Sequence, residues 1–404
     1  MSISKVAWMI IAGTAIITIA MGVRNTFGIF MQPLSAEHGV SITMLSLAIA
    51  LQNLFWGLAQ PIAGAISDRQ GARRVIVVGG LLYGLGLIIA IAFSNPIMII
   101  FGAGILIGIA QSCTTFAVVL GVIGRNVDEK QRPKALGIAS AGGSFGQMAI
   151  VPLAQGLITY DSLEFSILSM AALAFILVPL AIPMVEKPAE TPSEVATNPS
   201  QALSHVLRDA VAHSGFVLLT FGFFTCGFQV AFIGVHLPIY LLNCGLPTHI
   251  DIPTLAATAL ATVGFFNLIG TYFHGVLGTH FLMKNLLACN YILRGIFILI
   301  FFLVPKSEYS VMAFAVGMGA LWLGTVPLTS GVIAKIFGPT NLGLLFGVCF
   351  LSHQIGSFLG IWIGGYLFDL TGNYDLIWIL TACAGFMAAA LHWPIKERAI
   401  GQPA

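Results

Sequence analysis

Charged side chains are scarce in this 404-residue chain, and their scarcity excludes most soluble proteins. Only 8% of the residues are Asp, Glu, Lys or Arg, whereas 58% are hydrophobic. A soluble domain carries roughly 25% charged residues. Apolar runs of about 18 residues or more are typical of helices that cross a bilayer. We therefore predict an all-α membrane protein and not a β-barrel, whose strands would alternate in short segments.

Twelve such runs divide the chain. They lie roughly at 6–31, 44–65, 75–94, 97–123, 134–158, 163–185, 214–242, 254–277, 285–304, 309–335, 341–367 and 374–394. The first run is too long for a cleaved signal peptide and carries Arg24 well inside it. We expect it to remain as the first membrane-spanning helix.

The few basic residues are distributed unevenly between the two ends of these runs. If the N-terminus is cytoplasmic, most of the 17 Lys and Arg residues fall at cytoplasmic ends: Lys5, Arg69, Arg73, Arg74, Arg125, Lys130, Arg132, Lys134, Lys187, Arg208, Lys284, Lys335, Lys396 and Arg398. Lys306 falls outside, and Arg24 and Arg294 fall within the membrane. The positive-inside rule therefore predicts that both termini are cytoplasmic.

Acidic residues are absent from the interior of every run. Asp and Glu fall only near the predicted helix ends, such as Glu37, Asp161, Asp251 and Asp369. A cationic-drug/proton antiporter would be expected to carry a membrane-buried carboxylate. This absence makes efflux of cationic drugs a disfavoured function.

Signatures of catalysis and of metal binding are also missing. No G-x-x-x-x-G-K-[ST] loop is present, so a primary pump would need a separate ATP-binding subunit. The six cysteines have no CxxC spacing and are interpreted as apolar packing residues. No nucleophile–base pair or metal-ligand spacing appears. We therefore predict no enzymatic activity, no cofactor, no bound metal and no nucleic-acid partner.

One long polar segment, 186–213, interrupts the runs after the sixth. It contains Pro188, Pro192 and Pro199 among polar residues, and we expect a short surface helix from Gln201 to Ala212. This predicts an N-terminal six-helix bundle at 1–185, a cytoplasmic linker at 186–213, and a C-terminal bundle with a short tail at 214–404.

The two halves carry a weak echo of one another. Gly275 lies 211 positions after Gly64, and Lys284 lies at the same offset from Arg73. A shared glycine-led turn favours duplication of a six-helix unit. Transporters built from such halves bind substrate at the interface between them, near the middle of the bilayer.

The loop after the second run carries a recognisable motif. Gly64-Ala-Ile-Ser-Asp68-Arg69-Gln-Gly71-Ala-Arg73-Arg74 resembles the signature loop G-x-x-x-D-R-x-G-x-R-R of the major facilitator superfamily, with every fixed position filled. This resemblance implies that family's fold of two pseudo-symmetric six-helix bundles. It also implies a cytoplasmic latch formed by Asp68 and Arg69.

Physical chemistry suggests how the residues of that loop would act as a gate. Gly64 would allow close helix approach, and Gly71 a tight turn. The Asp68 carboxylate could accept hydrogen bonds from a helix N-terminus in the other half. Arg69 and Arg73 could pair with it or with lipid phosphates, or serve only as topology anchors.

Arg24 is the leading candidate for substrate binding. It lies slightly beyond the middle of the first run, where an ionised side chain costs at least about 2.5 kcal/mol and is typical of a cavity or a functional site. Its planar guanidinium suits a carboxylate. The alternative is that the side chain extends to the outer surface of the membrane.

The surroundings of Arg24 resemble one branch of the superfamily. Gly22-Val23-Arg24-x-x-Phe27-Gly28-x-Phe30 and Ser352-His353-Gln354-x-Gly356-x-x-x-Gly360 look like bacterial relatives of the monocarboxylate and oxalate/formate transporters. The branch tends to have an arginine in helix 8, where this chain has Thr271. The resemblance implies a monocarboxylate, whereas the missing arginine counts against a carboxylate substrate and most of all against a dicarboxylate held by two cationic anchors.

Other polar residues within the runs could complete the site. Asn25 adjoins Arg24, and His353 could carry a proton because histidine titrates near neutral pH. Each of these polar residues could equally serve in helix packing. The remaining candidates are Gln111, Gln147, His236, Asn267 and Gln354. Arg294 is interpreted as structural, bonded to helix-end carbonyls or to a neighbouring polar group.

These observations favour a monomeric secondary transporter in the inner membrane of a prokaryote. We predict alternating-access transport of a small organic anion, by proton symport or anion exchange. Efflux of a neutral or anionic drug or metabolite is the alternative within transport. A non-transporting membrane sensor would be expected to carry a soluble signalling domain, which these residues lack.

Overall fold

The computed structural model describes residues 5–93, 95–127, 132–185, 199–246, 251–338 and 342–398. Its side-chain description leaves out Asp68 and residues 132–134 and 199–205. The described part of the chain is entirely helical or irregular, in keeping with the predicted all-α class.

Within its described residues, the first half contains nine α-helices and one π-helix. They are α1 (Lys5–Asn25), α2 (Phe27–His38), α3 (Ile42–Gln70), α4 (Ala72–Ala92), α5 (Pro96–Ile99), a π-helix (Ile100–Leu106), α6 (Ile107–Thr114), α7 (Phe116–Asn126), α8 (Arg132–Tyr160) and α9 (Leu163–Leu180).

The second half begins with a helix before its first span. Its helices are α10 (Pro199–Ala212), α11 (Ser214–Asn243), α12 (Ile252–Leu277), α13 (Met283–Leu303), α14 (Glu308–Leu321), α15 (Thr325–Phe337), α16 (Leu342–Thr371) and α17 (Asp375–His392). Helix α10 covers the predicted surface helix, while the remainder of the predicted linker, at 186–198, lies outside the described residues.

The twelve predicted spans are confirmed, but three of the predicted runs are divided. Within the described residues, twelve helices or helix groups are long and apolar enough to cross a membrane. The first predicted run breaks at Thr26, the fourth at Thr115 and the tenth at 322–324. Threonine hydroxyls compete for backbone carbonyls, and those of Thr26 and Thr115 donate to Val23 and Gln111 respectively.

Glycines let several of these helices approach backbone to backbone. A Cβ atom at Gly146 of α8 would lie 2.1 Å from the carbonyl oxygen of Thr18 in α1. One at Gly356 of α16 would lie 2.0 Å from the carbonyl oxygen of Phe224 in α11. Within membranes such close packing replaces the hydrophobic driving force between helices. These contacts build each half as a compact bundle.

Two long seams join the halves, in addition to a shorter contact between α2 and α11. Helix α3 packs along α16, and α8 packs along α12. In the first seam the ring of Trp56 contacts that of Phe350 at a centroid distance of 5.3 Å. In the second, Asn267 Nδ2 donates to Ser144 Oγ at 2.9 Å.

We call the end where α1 begins and α17 ends the terminal face, and the other end the opposite face. Near the opposite face, Asp369 of α16 accepts hydrogen bonds from Thr43 of α3. Near the middle of the bundle, the rings of Trp56 and Phe350 meet across the same seam.

Toward the terminal face the helices of the two seams have open space beside them. Among the described residues, a Cβ atom added at any of four glycines there would meet nothing within 4 Å: Gly137, Gly275, Gly343 and Gly347. At the opposite face, the hydrogen bonds between Thr43 and Asp369 join the two halves.

Candidate functional site

Arg24 is the second-last residue of α1, two residues before the break at Thr26 that separates α1 from α2. Its Nη2 donates to Asn53 Oδ1 of α3 at 2.5 Å, and its Nη1 lies 3.4 Å from Asn25 Oδ1. The side chain is half-buried, and its Nε is buried with no described hydrogen-bond partner. Among the described side chains, no carboxylate lies within ion-pair distance of the guanidinium. Arg24 is therefore held by amide oxygens alone and has donor capacity to spare.

The ring of Trp56 packs against the guanidinium of Arg24. The Arg24 Cζ lies 5.2 Å from the centroid of the Trp56 ring, a distance typical of a cation–π contact. The Trp56 Nε1 donates to Thr115 Oγ1 at 3.0 Å, at the break between α6 and α7. The broken helix therefore fixes the ring on which Arg24 rests.

Residues of α16 approach the same ring from the other half. Phe350 meets Trp56 edge to face, and the His353 ring stacks parallel to Phe350 at 5.9 Å. His353 Nδ1 lies 3.2 Å from Gln354 Oε1, and a Cβ atom at Gly57 would lie 2.9 Å from Gln354 Cβ. The structure thus brings Arg24, Asn25, His353 and Gln354 into one cross-half arrangement with Trp56 at its centre.

Gln111 lies behind Arg24, inside the first half. Its Nε2 donates to the Ala20 carbonyl at 2.9 Å and contacts the Tyr83 hydroxyl at 2.7 Å. The Tyr83 hydroxyl donates to the same carbonyl. Gln111 is fully buried, and its Oε1 has no described partner. These hydrogen bonds join α4 and α6 to α1 at Ala20, about one helical turn before Arg24.

Gln147 and Asn267 lie in the other seam. Gln147 Nε2 donates to the Leu260 carbonyl at 3.0 Å, and Asn267 Oδ1 accepts from the Leu323 backbone N–H at 3.0 Å. Thr271, which occupies the position of the missing arginine, donates to Asn267 at 3.1 Å. No described contact joins this group to Arg24.

His236 is packed within the second half and not beside Arg24. Its Nδ1 lies 3.0 Å from the Tyr374 hydroxyl, its Nε2 lies 2.8 Å from the Ile361 carbonyl, and the residue is fully buried. Both ring nitrogens are engaged within the C-terminal bundle. Among the described residues, none of its contacts involves the Arg24 group.

Arg294 has the predicted structural partners. Its Nε and Nη2 donate to the Leu321 carbonyl at 3.0 and 2.7 Å, and Nη2 also donates to the Trp322 carbonyl. Its Nη1 contacts Cys226 Sγ and Gln229 Oε1 of α11. The guanidinium thus satisfies carbonyl groups that the break between α14 and α15 leaves without helical partners.

The signature loop turns as the sequence predicts, but Gly64 does not make the expected close approach. Gly71 alone connects α3 to α4, with a φ of 89° that favours glycine. Among the described atoms, a Cβ atom added at Gly64 would meet only Ala117 of α7, at 3.9 Å. Arg69 and Arg73 are exposed, and the side chain of Asp68 lies outside the described residues.

Asn53, Trp56 and Phe350 were not singled out as substrate-binding candidates by the sequence. Asn53 stands out only as one of several amides in the spans, and the two aromatic residues resemble ordinary apolar positions. The spacing of Asn53 and Trp56, three residues apart, does place them on one face of a helix. That spacing was the available signal once Arg24 had been identified.

Known proteins resemble the whole chain. Residues 13–281 match the family model of the Major Facilitator Superfamily. An uncharacterized transporter of this type from Bacillus subtilis, YcxA, is 25% identical, and the alignment covers 92% of this chain and 91% of the relative. Monocarboxylate transporter 13 from Rattus norvegicus is also 25% identical, with 92% and 85% covered.

A solved structure shares the fold. It is that of a bacterial homologue of the human lysosomal transporter Spinster, in an inward-facing and occupied conformation; it is 15% identical, with a TM-score of 0.78 over 100% of both chains. The match to the family model covers well over half of the chain. This chain therefore belongs to the Major Facilitator Superfamily, and it is a membrane transporter and not an enzyme.

Proposed function

We propose that this transporter carries a small organic anion, a monocarboxylate, across the inner membrane of a prokaryote. The observation that supports this proposal is the environment of Arg24. Its guanidinium lies in a membrane-spanning helix and has amide partners but no described carboxylate partner. Such a charge costs at least about 2.5 kcal/mol in the membrane. A bound carboxylate would neutralise it, and the planar guanidinium can donate two parallel hydrogen bonds to such a group.

The relatives support this substrate class. Several are monocarboxylate transporters, including transporter 13 from rat and transporter 11 from human, at 25% and 27% identity. Among the described side chains Arg24 is the one cation at the seam, whereas two anchors would suit a dicarboxylate. The single anchor and the relatives favour the same class of substrate.

The two faces of the bundle suggest alternating access. In this proposal the terminal face is cytoplasmic, as the positive-inside rule predicts, and it opens to the cytoplasm in the inward-facing state. The bundles at 1–185 and 214–404 rotate about the level of Arg24, and the 186–213 linker joins them. In the outward-facing state, Asp68 and Arg69 close the terminal face as a latch.

Coupling to protons would use His353. Its ring lies on the α16 side of the seam, stacked on Phe350, where protonation would add a second charge near the substrate. Exchange of one anion for another is the alternative, and it needs no titrating group. The effect of a pH gradient on uptake distinguishes proton symport from anion exchange.

Uptake into proteoliposomes tests the proposal. Labelled acetate, lactate, pyruvate, formate and oxalate are offered to wild type, Arg24→Ala and Arg24→Lys, with and without a pH gradient. Arg208→Ala is the matched control, because Arg208 is an exposed cation on α10, outside the spans.

We expect uptake of at least one monocarboxylate that Arg24→Ala abolishes, Arg24→Lys retains in part and Arg208→Ala leaves unchanged. Stimulation by an inward proton gradient would indicate symport. Stimulation only by internal anion would indicate exchange. Uptake that is equal in wild type and Arg24→Ala would refute the proposal.

A further inference from the structure

A row of rings on α16 faces the Arg24 group. Phe346, Phe350 and His353 follow one another at spacings of four and three residues, so they share one face of the helix. All three are half-buried, which distinguishes them from the closed core. Phe350 contacts Trp56 of the other half, and this contact directs the row toward the seam.

The row of rings packs against a buried ring of the second half. Phe223 of α11 is almost fully buried, and its ring centroid lies 4.9 Å from His353 and 5.9 Å from Phe346. The rings are therefore held from the second half while their other sides remain partly open. We call Phe346, Phe350 and His353, together with Trp56, the aromatic wall.

The cation and the aromatic wall are close enough for one small molecule to touch both. Arg24 Cζ lies 5.2 Å from the Trp56 centroid, and the Phe350 centroid lies 5.3 Å from it. The guanidinium belongs to the first half, while the accessible rings belong to the second. A ligand that uses both features would join the two halves.

The second half offers little for a second anionic group. Arg294 is fully buried and engaged with the carbonyls of residues 321 and 322. Gln354 is fully buried: its Oε1 contacts His353 and Ser357 within its own helix, and its Nε2 is enclosed without a described partner. A ligand held by Arg24 therefore meets rings, and not a second cation, on the described surface of α16.

We propose that the aromatic wall selects a monocarboxylate with an aromatic body, an arylalkanoic acid, over short acids such as acetate. The carboxylate binds Arg24 and the ring packs on Phe350 and its neighbours. This inference rests on the proposed function and narrows its substrate class. Aromatic pairs favour offset or edge-to-face geometry, which an aliphatic body of similar size reproduces less well.

Competition among matched acids in proteoliposomes tests the inference. Uptake of labelled phenylacetate, cyclohexylacetate and acetate is measured, each alone and in competition with the other two, in wild type, Phe350→Leu and Phe350→Tyr. Phe221→Leu is the control, because Phe221 is 60% exposed on α11, directed away from the packed interior. Phe350→Tyr keeps the ring and therefore reports on the site even if Phe350→Leu folds poorly.

We expect a lower KM for phenylacetate than for cyclohexylacetate, and a much lower one than for acetate. Phe350→Leu should raise the phenylacetate KM about three- to tenfold, with acetate changed less than about twofold. Phe350→Tyr and Phe221→Leu should keep the preference for phenylacetate.

Two failures remain distinguishable. Arg24-dependent uptake of acetate and phenylacetate with equal kcat/KM would overturn the aromatic preference and leave the anion carrier standing. So would an equal loss for both acids in Phe350→Leu. Arg24-independent uptake, or none of any carboxylate, would overturn the proposed function together with this inference.

Discussion

Asp369, at the end of α16, caps the first turn of α3 in the other half of the molecule. Its Oδ2 accepts from the Thr43 backbone N–H at 2.8 Å and from the Thr43 hydroxyl at 2.6 Å. Thr43 is the second residue of α3, where the helix dipole favours an anion. The contact therefore holds the opposite face closed and must break before that face can open.

We predict that Asp369→Asn shifts the molecule toward opening at the opposite face. Loss of an exposed charge from a helix N-terminus is worth about 0.3–1 kcal/mol, which corresponds to a roughly two- to fivefold change in population. A cysteine at Gly234 would report it. Gly234 lies where α11 meets α2, and an added Cβ atom there would meet only Trp322 at 3.9 Å.

The measurement is the rate at which a membrane-impermeant maleimide labels Gly234→Cys from the opposite face. Asp369→Asn should raise that rate, and the parent chain without the added cysteine sets the background. Asp375→Asn removes the same charge from an exposed position nearby and should leave the rate unchanged. Equal labelling rates in Gly234→Cys with and without Asp369→Asn would show that the cap does not control closure.

The sequence was sufficient to identify Arg24 but not its surroundings. A lone cation in an apolar run is visible locally because its cost in a membrane is large. Its contacts with Asn53 and Trp56 depend on the register of α3 against α1. The contact of Trp56 with Phe350 depends on the register of α3 against α16. Those registers are set by close approaches such as Gly57 to Gln354, which no local pattern encodes.

The divided spans were missed for a related reason. Hydropathy stays high through Thr115 and through residues 322–324, so composition predicts continuous helices there. What compensates each break lies far away in sequence: Trp56 donates to Thr115, and Arg294 donates to the carbonyls at the second break. The predicted role of Arg294 as a partner of helix-end carbonyls anticipated one of these two compensations.

A carboxylate placed beside Arg24 should act as an internal competitor of the substrate. Asn53→Asp would replace the amide oxygen, now 2.5 Å from Nη2, with a charged one and form a partly buried ion pair. We expect kcat/KM for uptake to fall at least about 30-fold, because the guanidinium is already neutralised. Asn53→Ala, which removes the partner without adding charge, should fall less.

Thermal stability separates this effect from misfolding. The ion pair should raise the Tm of Asn53→Asp above that of Asn53→Ala, although its uptake is lower. If the two variants lose uptake equally, competition for Arg24 is not the cause. Uptake by Asn53→Asp close to that of wild type would remove Arg24 from the substrate site.

Tyr83 and Arg294 occupy corresponding positions in the two halves, and substituting them tests whether each stabilises its own half. They lie 211 positions apart, the offset that also separates Gly64 from Gly275. Each is buried, and each donates to a backbone carbonyl of a neighbouring helix. We expect Tyr83→Phe to lower the free energy of unfolding by about 1 kcal/mol, as is typical of one interhelical hydrogen bond in a membrane.

Arg294→Leu should cost more, about 2–3 kcal/mol, because it leaves two carbonyls without their charged donor. Unfolding in mixtures of SDS and mild detergent measures both variants, and uptake is measured in parallel. A structural role predicts that uptake per folded molecule survives in Arg294→Leu. Full stability with abolished uptake would instead assign Arg294 to the substrate pathway.

Two glycines of α16 should respond in opposite ways to the same substitution. In Gly356→Ala the new methyl group would lie 2.0 Å from the Phe224 carbonyl oxygen, so α11 and α16 must move apart. In Gly347→Ala it would meet no described atom within 4 Å, and alanine favours a helix by about 0.5–1 kcal/mol over glycine. We therefore expect Gly356→Ala to lower the Tm and Gly347→Ala to leave it unchanged or raise it slightly. Both substitutions are on α16 and add the same methyl group, so each serves as the control for the other. A similar loss of Tm in both variants would mean that α11 and α16 do not pack closely at Gly356.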